Sequence, residues 1–163
     1  MRPKVSTVPQ ELKLAVVQFY EDYAETLDDL DLEAWPDYFT DDCKYTVTSR
    51  ENHDAGLTHA TIYCEGIGMV RDRVAATRDC TVYEPRHLRH FLHGVRIHAI
   101  DGDVIRSKGS FLLIESVSDK EPCVHMVGRY HDTLVRSADG FKLKERICVY
   151  DNYRIYNSLI FPV

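Results

Sequence analysis

The stretch "YEPRHLRHFLHGVRIHA", residues 83–99, holds four of the chain's eight histidines, His87, His90, His93 and His98, with Arg86 and Arg89 threaded among them. Imidazole can ligate a metal or move a proton near neutral pH, so the spacing decides what such a cluster can do. A metal needs ligands that converge. On a strand, neighbouring side chains alternate between faces, which sets His90 opposite His87 and His93. Pro85 before the cluster and the period-two alternation of "VRIHAI" after it favour a strand or its entry loop. The chain has no H-E-x-x-H and no paired C-x-x-C. The cluster therefore reads as polar framework, and no metal-ligating residue is expected.

Other fragments of chemistry are incomplete. Cys123-Val-His125 looks like half of a Rieske cluster motif, which needs two Cys and two His. The second half would be C-x-x-H, and the chain offers Cys148-Val-Tyr-Asp151. "GIGMVR" (66–71) lacks the third glycine of a dinucleotide fingerprint and has no βαβ unit around it. There is no Gly-x-Ser-x-Gly elbow. Arg71, Arg73, Arg78, Arg86 and Arg89 make a basic stretch, partly balanced by Asp72, Asp79 and Glu84. The chain's net charge is −6, against the basic excess expected of a nucleic-acid binder. These arginines suit bidentate pairing with carboxylates, inside the fold or across a subunit contact.

The elements that position these residues fall into two halves. Residues 7–29 form an amphipathic helix, with Leu12, Val16, Phe19, Tyr20, Tyr23 and Leu27 on one face. Thr7-Val-Pro-Gln10 suits a capping box, in which Thr7 accepts the Gln10 N–H and Gln10 reaches back. "LEAWPDYF" (32–39) reads as a short second helix with Trp35 and Phe39 inward. "CKYTVTS" (43–49) is the first strand, and 66–78 a third helix carrying Met69, Val70 and Val74. From 88 to 153 the chain becomes long strands joined by turns. Asp101-Gly102 and Asp139-Gly140 mark hairpins, because glycine accepts positive φ. Gly94, Gly109 and Gly128 are candidate bends. Residues 7–79 are thus mainly helical with one or two short strands, and 80–163 are a long-stranded meander. The result is one α+β domain over 1–163, with helices packed against a strongly curved, mixed or antiparallel sheet that wraps the first helix as a half-open cone.

Length and composition agree with this. The chain's 163 residues, 44% hydrophobic, suffice for one core. Five scattered cysteines (43, 64, 80, 123 and 148) form no disulfide framework and fit a reducing, cytoplasmic setting. No signal-peptide core opens the chain, and no apolar run approaches the ~20 residues that span a bilayer. The segment "NYRIYNSLIFPV" (152–163) is apolar where chain ends are usually polar. Ile155, Leu159, Ile160, Phe161 and Val163 therefore need burial, on the chain's own sheet or on a neighbouring subunit.

Taken in order, these pieces resemble the small (β) subunits of ring-hydroxylating dioxygenases, the Rieske non-haem iron oxygenases. Leu27-Asp28, Trp35, Phe39, Asp42 and Tyr45 match the family's early positions. "RDRV" and "YEPRHLRH", with Arg89-His90, match its middle. "GRYHDTLVRSADGFKLKERI" matches its penultimate hairpin through Gly128, Arg129, Asp132, Leu134, Arg136, Gly140, Lys142 and Arg146. The end, "CVYDNYRIYNSLIFPV", resembles the branch with terephthalate dioxygenase and salicylate 5-hydroxylase, and departs from the biphenyl and naphthalene type.

The resemblance implies a cystatin-like (NTF2-like) cone, a homotrimer of β subunits and an α3β3 oxygenase acting on a monocyclic aromatic acid. It implies that the large α subunit carries the Rieske [2Fe-2S] cluster, the mononuclear Fe(II) and the substrate pocket, leaving no catalytic or cofactor residue here. Arg86, Arg89, His90, Arg129, Arg146, Ile160 and Phe161 are then expected at subunit contacts. The same cone also serves free-standing isomerases and dehydratases. Under that reading Tyr20, Tyr23, Tyr45, His90 and His125 would line the pocket, with a histidine as general base. The state of the cone separates the two readings: filled by Phe19, Tyr23 and Trp35 for a subunit, or open with a His–carboxylate pair at its mouth for an enzyme.

Overall fold

The computed structural model describes residues 8–156 and 158–163. Helix α1 (Gln10–Asp28) presents the expected face, burying Leu12, Val16, Phe19, Tyr20, Tyr23, Ala24 and Leu27. Pro9 precedes its first turn with no side-chain capping bond, and Thr7 lies outside the described residues. The expected second helix shrinks to one 3-10 turn, Trp35–Tyr38, which still drives Trp35 into the core. Pro36 explains the limit, since its ring fits a first turn and blocks a helix interior.

Strand β1 (Phe39–Ser49) follows, longer than expected. Then come α2 (Arg50–Asp54), β2 (Ile62–Glu65) and α3 (Gly66–Asp79). Of the apolar residues that α3 carries, Val70 and Val74 are buried and Met69 is exposed. The meander comprises β3 (Arg86–Asp101), β4 (Val104–Val117), β5 (Cys123–Ser137) and β6 (Gly140–Tyr150). Gly102 and Gly140 both take positive φ at the two predicted hairpin turns.

The six strands form one mixed sheet in the order β2-β1-β6-β5-β4-β3. Only β1 with β6 is parallel; the other pairs are antiparallel. Among the glycines expected to mark bends, Gly94 sits in a β3 bulge at φ +65°. Gly109 and Gly128 serve close approach instead. A Cβ on Gly109 would lie 2.9 Å from the Tyr20 ring, and one on Gly128 would lie 2.2 Å from the Val149 carbonyl oxygen.

Strand alternation divides the sheet into two faces. The inner face packs Ile105, Phe111, Leu113, Met126, Tyr130, Leu134, Leu143 and Cys148 against α1, Trp35 and β1. Phe161 and Val163 join this core, with Ile155, Leu159 and Ile160 packed partly buried against it. The apolar C-terminal segment therefore lies on the protomer's own cone.

Candidate functional site

Three charged or polar constellations occupy the inner side of the sheet. The deepest is built on β5 and β6, where Asp132 and Arg146 are directly opposite in register. Arg146 Nη2 donates to Asp132 Oδ2 at 2.6 Å, and Nε donates to both carboxylate oxygens at 3.1 and 3.2 Å. Both side chains are fully buried. The guanidinium also lies 4.0 Å from the Tyr23 ring centre, 4.2 Å from Tyr130 and 5.0 Å from Tyr20, so aromatic faces stabilise the cation where water is absent. Burial works most strongly against the Arg146 charge, and the Asp132 carboxylate together with Tyr23 and Tyr20 outweighs it, holding the pKa above its ordinary value. Burial first, then Asp132, raises the Tyr20 phenol well above its usual range. Tyr23, Tyr45 and Tyr130 are likewise raised by burial, and the Cys148 thiol is pushed up to about 12. None of these groups is poised to lose a proton near neutral pH.

The mouth of the cone is sealed by the C-terminal segment. Tyr45 Oη accepts the Val163 N–H at 2.8 Å and donates to the Val163 oxygen at 3.2 Å. Tyr23 Oη donates to the same oxygen at 3.1 Å and accepts from Trp35 Nε1 at 2.9 Å. Tyr20 Oη sits 3.0 Å from Ser107 Oγ. Phe161 meets Tyr83 edge-on, with ring centres 5.0 Å apart. Arg73 Nη2 donates to the carbonyl oxygens of Leu159 and Ile160.

Under that seal lies the second constellation. Glu115 accepts from Arg86 Nη1 at 2.8 Å through one carboxylate oxygen, and its other oxygen lies 2.9 Å from His125 Nδ1. A β5 bulge makes this possible: Leu113 pairs with Met126 but Ile114 with Val124, so both His125 and Met126 turn inward. Burial lowers the His125 pKa; Glu115 raises it and Arg86 lowers it further. The hollow bordered by Glu115, His125 and the 158–161 segment measures about 10 Å³. It is too small for a substrate.

The third joins α1 to β3. His90 Nδ1 is 2.6 Å from Asp28 Oδ1, and the His90 backbone N–H donates to the same carboxylate. The His90 ring is fully buried, and its Nε2 meets no partner among the described residues. Arg89 Nη1 approaches Asp28 at 3.9 Å from a largely exposed position.

The pocket candidates thus divide. Tyr20, Tyr23 and Tyr45 come together in the cone. His125 lies at its mouth, and His90 faces the helix end. Among residues expected at subunit contacts, Arg146 and Phe161 lie instead inside the protomer, because Asp132 pairs with the first and the core takes up the second. Arg86 is also spent internally, on Glu115. Arg89 and Arg129 are exposed and Ile160 is partly so. Strand alternation in the sequence suggested neither the Asp132–Arg146 pair as a core element nor the inward turn of His125. The Cys123 and Cys148 fragments do not converge: Cys123 is exposed, and Cys148 is buried with Sγ near the Val163 oxygen. Among the described residues, no group of three His, Cys, Asp or Glu is placed to hold a metal ion. The donor set does not fit an iron–sulfur cluster, which needs four ligands.

A filled α+β cone with its two long helices on the inner face of a curled six-stranded sheet defines the class, and residues 10–147 match the model of the SnoaL-like domain family. The small subunit of anthranilate 1,2-dioxygenase from Burkholderia cepacia is 35% identical over 141 residues, 86% of this chain and 88% of that one. Subunit beta 2 of the terminal oxygenase component of terephthalate 1,2-dioxygenase from Comamonas sp is 31% identical, over 86% and 91% of the two chains. The solved structure assigned as the β subunit of an aromatic-ring-hydroxylating dioxygenase from Novosphingobium aromaticivorans superposes with TM-score 0.85 at 36% identity, covering 93% of this chain and 96% of that one. The chain belongs to the small-subunit family of aromatic-ring-hydroxylating dioxygenases.

Proposed function

We propose that this chain is the non-catalytic β subunit of an oxygenase that hydroxylates a monocyclic aromatic acid in the cytoplasm. It assembles with a large α subunit, as α3β3 around a homotrimer of β subunits. The Rieske cluster, the mononuclear iron and the substrate pocket belong to the α subunit, and electrons reach them from NAD(P)H through a reductase. The relatives' names, anthranilate and terephthalate dioxygenases, support the substrate class.

The observation that carries the reading is the closed cone. A free-standing isomerase or dehydratase needs a cavity of roughly 300 Å³ or more with an accessible base. Here the interior is occupied by Trp35, Phe39, Tyr45 and Arg146, and Val163 caps it. The chain's part is then to present a rigid framework. Arg89 and Ile160 are the surface residues we assign to subunit contacts.

The test is affinity capture of the tagged chain from its host grown on an aromatic acid, followed by mass spectrometry and iron and labile-sulfide analysis. A larger polypeptide at equal stoichiometry, carrying iron and sulfide, is expected. A homo-oligomer free of partner and iron would overturn the reading.

A further inference from the structure

Edge strand β3 is irregular twice within a few residues. His93 pairs with Ser110 and Arg96 with Lys108, so Gly94 and Val95 together face Gly109 alone. Ile97 pairs with Ser107 and Ala99 with Arg106, which leaves His98 as a second extra residue. In an unbroken strand, residues three apart point to opposite faces. The first bulge cancels that alternation and brings His93 and Arg96 to the same outer face, and bulges recur where a side chain must be re-aimed.

The result is a cationic hollow on the side of the sheet away from α1. Its volume is about 360 Å³, and Arg96, Lys108, Arg129, His93, His98 and Ser110 line it, with Gly94 and Gly109. Arg96 stands directly opposite Lys108, and Ser110 directly opposite Arg129. Like charges opposite one another destabilise a sheet. No carboxylate lines the hollow, and among the described residues Arg96, Lys108 and Arg129 form no ion pair. The positive field reaches the neighbouring imidazoles. Burial, then Lys108 and Arg96, lowers the His98 pKa. Burial, then Lys108, His53 and Arg129, brings His131 down to about 4, with Asp132 acting the other way.

We propose that this hollow is an oxyanion-binding site for a small dianion, a phosphate or an aromatic dicarboxylate, held by Arg96, Lys108 and Arg129. The arginines can each grip an oxyanion through two parallel N–H bonds, and Lys108 supplies a point charge. Ser110 and the imidazoles add donors at the rim. The volume lies within the range of small-molecule sites.

The test uses the full chain, titrated separately with inorganic phosphate and with benzene-1,4-dicarboxylate. Sodium chloride holds the ionic strength constant. Binding is read from the ring resonances of His93 and His98 and by calorimetry. Saturable binding is expected, and the tighter of the two anions assigns the source. Lys108→Gln and Arg129→Gln should each weaken it by roughly tenfold or more, the loss of a charge-assisted hydrogen bond. Arg106→Gln, on β4 outside the hollow, should leave it unchanged, and unfolding curves verify that all three variants fold. Resonance shifts that follow ionic strength alone would overturn the proposal, as would equal binding by Lys108→Gln. So would a Lys108→Glu chain that changes sedimentation mass while neither anion saturates the wild type, since that assigns the cations to an acidic protein surface.

Discussion

Arg146 on β6 and Arg129 on β5 belong to neighbouring strands of one sheet, yet their surroundings are opposite. Arg146 is fully buried, fixed by a carboxylate directly across the ladder and enclosed by three tyrosine rings. Arg129 is exposed on the outer face, beside Lys108 and Arg96, with no carboxylate lining the hollow. The contrast shows what each face can do. Charge inside is paired and leaves no room for a third party, so it holds structure. Charge in the outer hollow meets no carboxylate and is accessible, so it is available for recognition.

Substitutions that spoil the pairing on the inside should have the largest effect. Arg146→Met leaves the Asp132 carboxylate buried alone, and breaking such a pair costs about 3–5 kcal/mol. Urea unfolding should show that loss, and Arg146→Met with Asp132→Leu together should recover much of it. If the single variant is as stable as wild type, the interior pair does not hold the cone. Phe161→Ala ranks next, at about 3 kcal/mol for truncating a buried aromatic, and the same unfolding curves would report it. A loss below ~0.5 kcal/mol, typical of surface positions, would mean that the segment does not seal the mouth.

Acid should separate the faces more gently. In the unfolded chain a histidine takes up its proton near ~6.5. In the fold His131 takes it up only near about 4. Between those values the unfolded state binds more protons, so the His131 contribution is intact above ~6.5 and is lost as pH falls toward the folded value. Unfolding free energy measured against pH should decline over that window, and His131→Gln should flatten the decline. The smallest effect is expected of Arg129→Gln, within roughly ±0.5 kcal/mol for an exposed side chain without a fixed partner. A large loss there would erase the distinction between the two faces.

Much of this architecture is legible in the residues. The α1 face from Leu12 to Leu27 follows from helical spacing. Both hairpins follow from Asp-Gly pairs, whose glycines do take positive φ. The sequence allows a second short strand before residue 79 without locating β2, and gives no sign of α2, since so few residues carry little periodicity. The full length of β1 depends on pairing with β6, a hundred residues away, which local pattern does not reveal. The candidate site was harder still. An arginine in a strand is ordinarily placed at the surface, and only the cross-strand register brings Asp132 to Arg146. The bulges that turn His125 inward and Arg96 outward each shift the alternation by one residue, and strict period-two reading misplaces every side chain beyond such a point. For Phe161 and Val163 the apolar run signals a need for burial and leaves the location open.

The most direct measurement is the turnover rate per iron of the oxygenase assembled from the large subunit and this chain, wild type against Tyr20→Phe and His125→Gln. These substitutions remove the polar groups that a reaction in the cone or at its mouth would use. The account predicts an unchanged rate per iron wherever the complex assembles. A fall of roughly a hundredfold, the scale of a lost acid or base, in a fully assembled complex would contradict it and make the cone a reaction chamber.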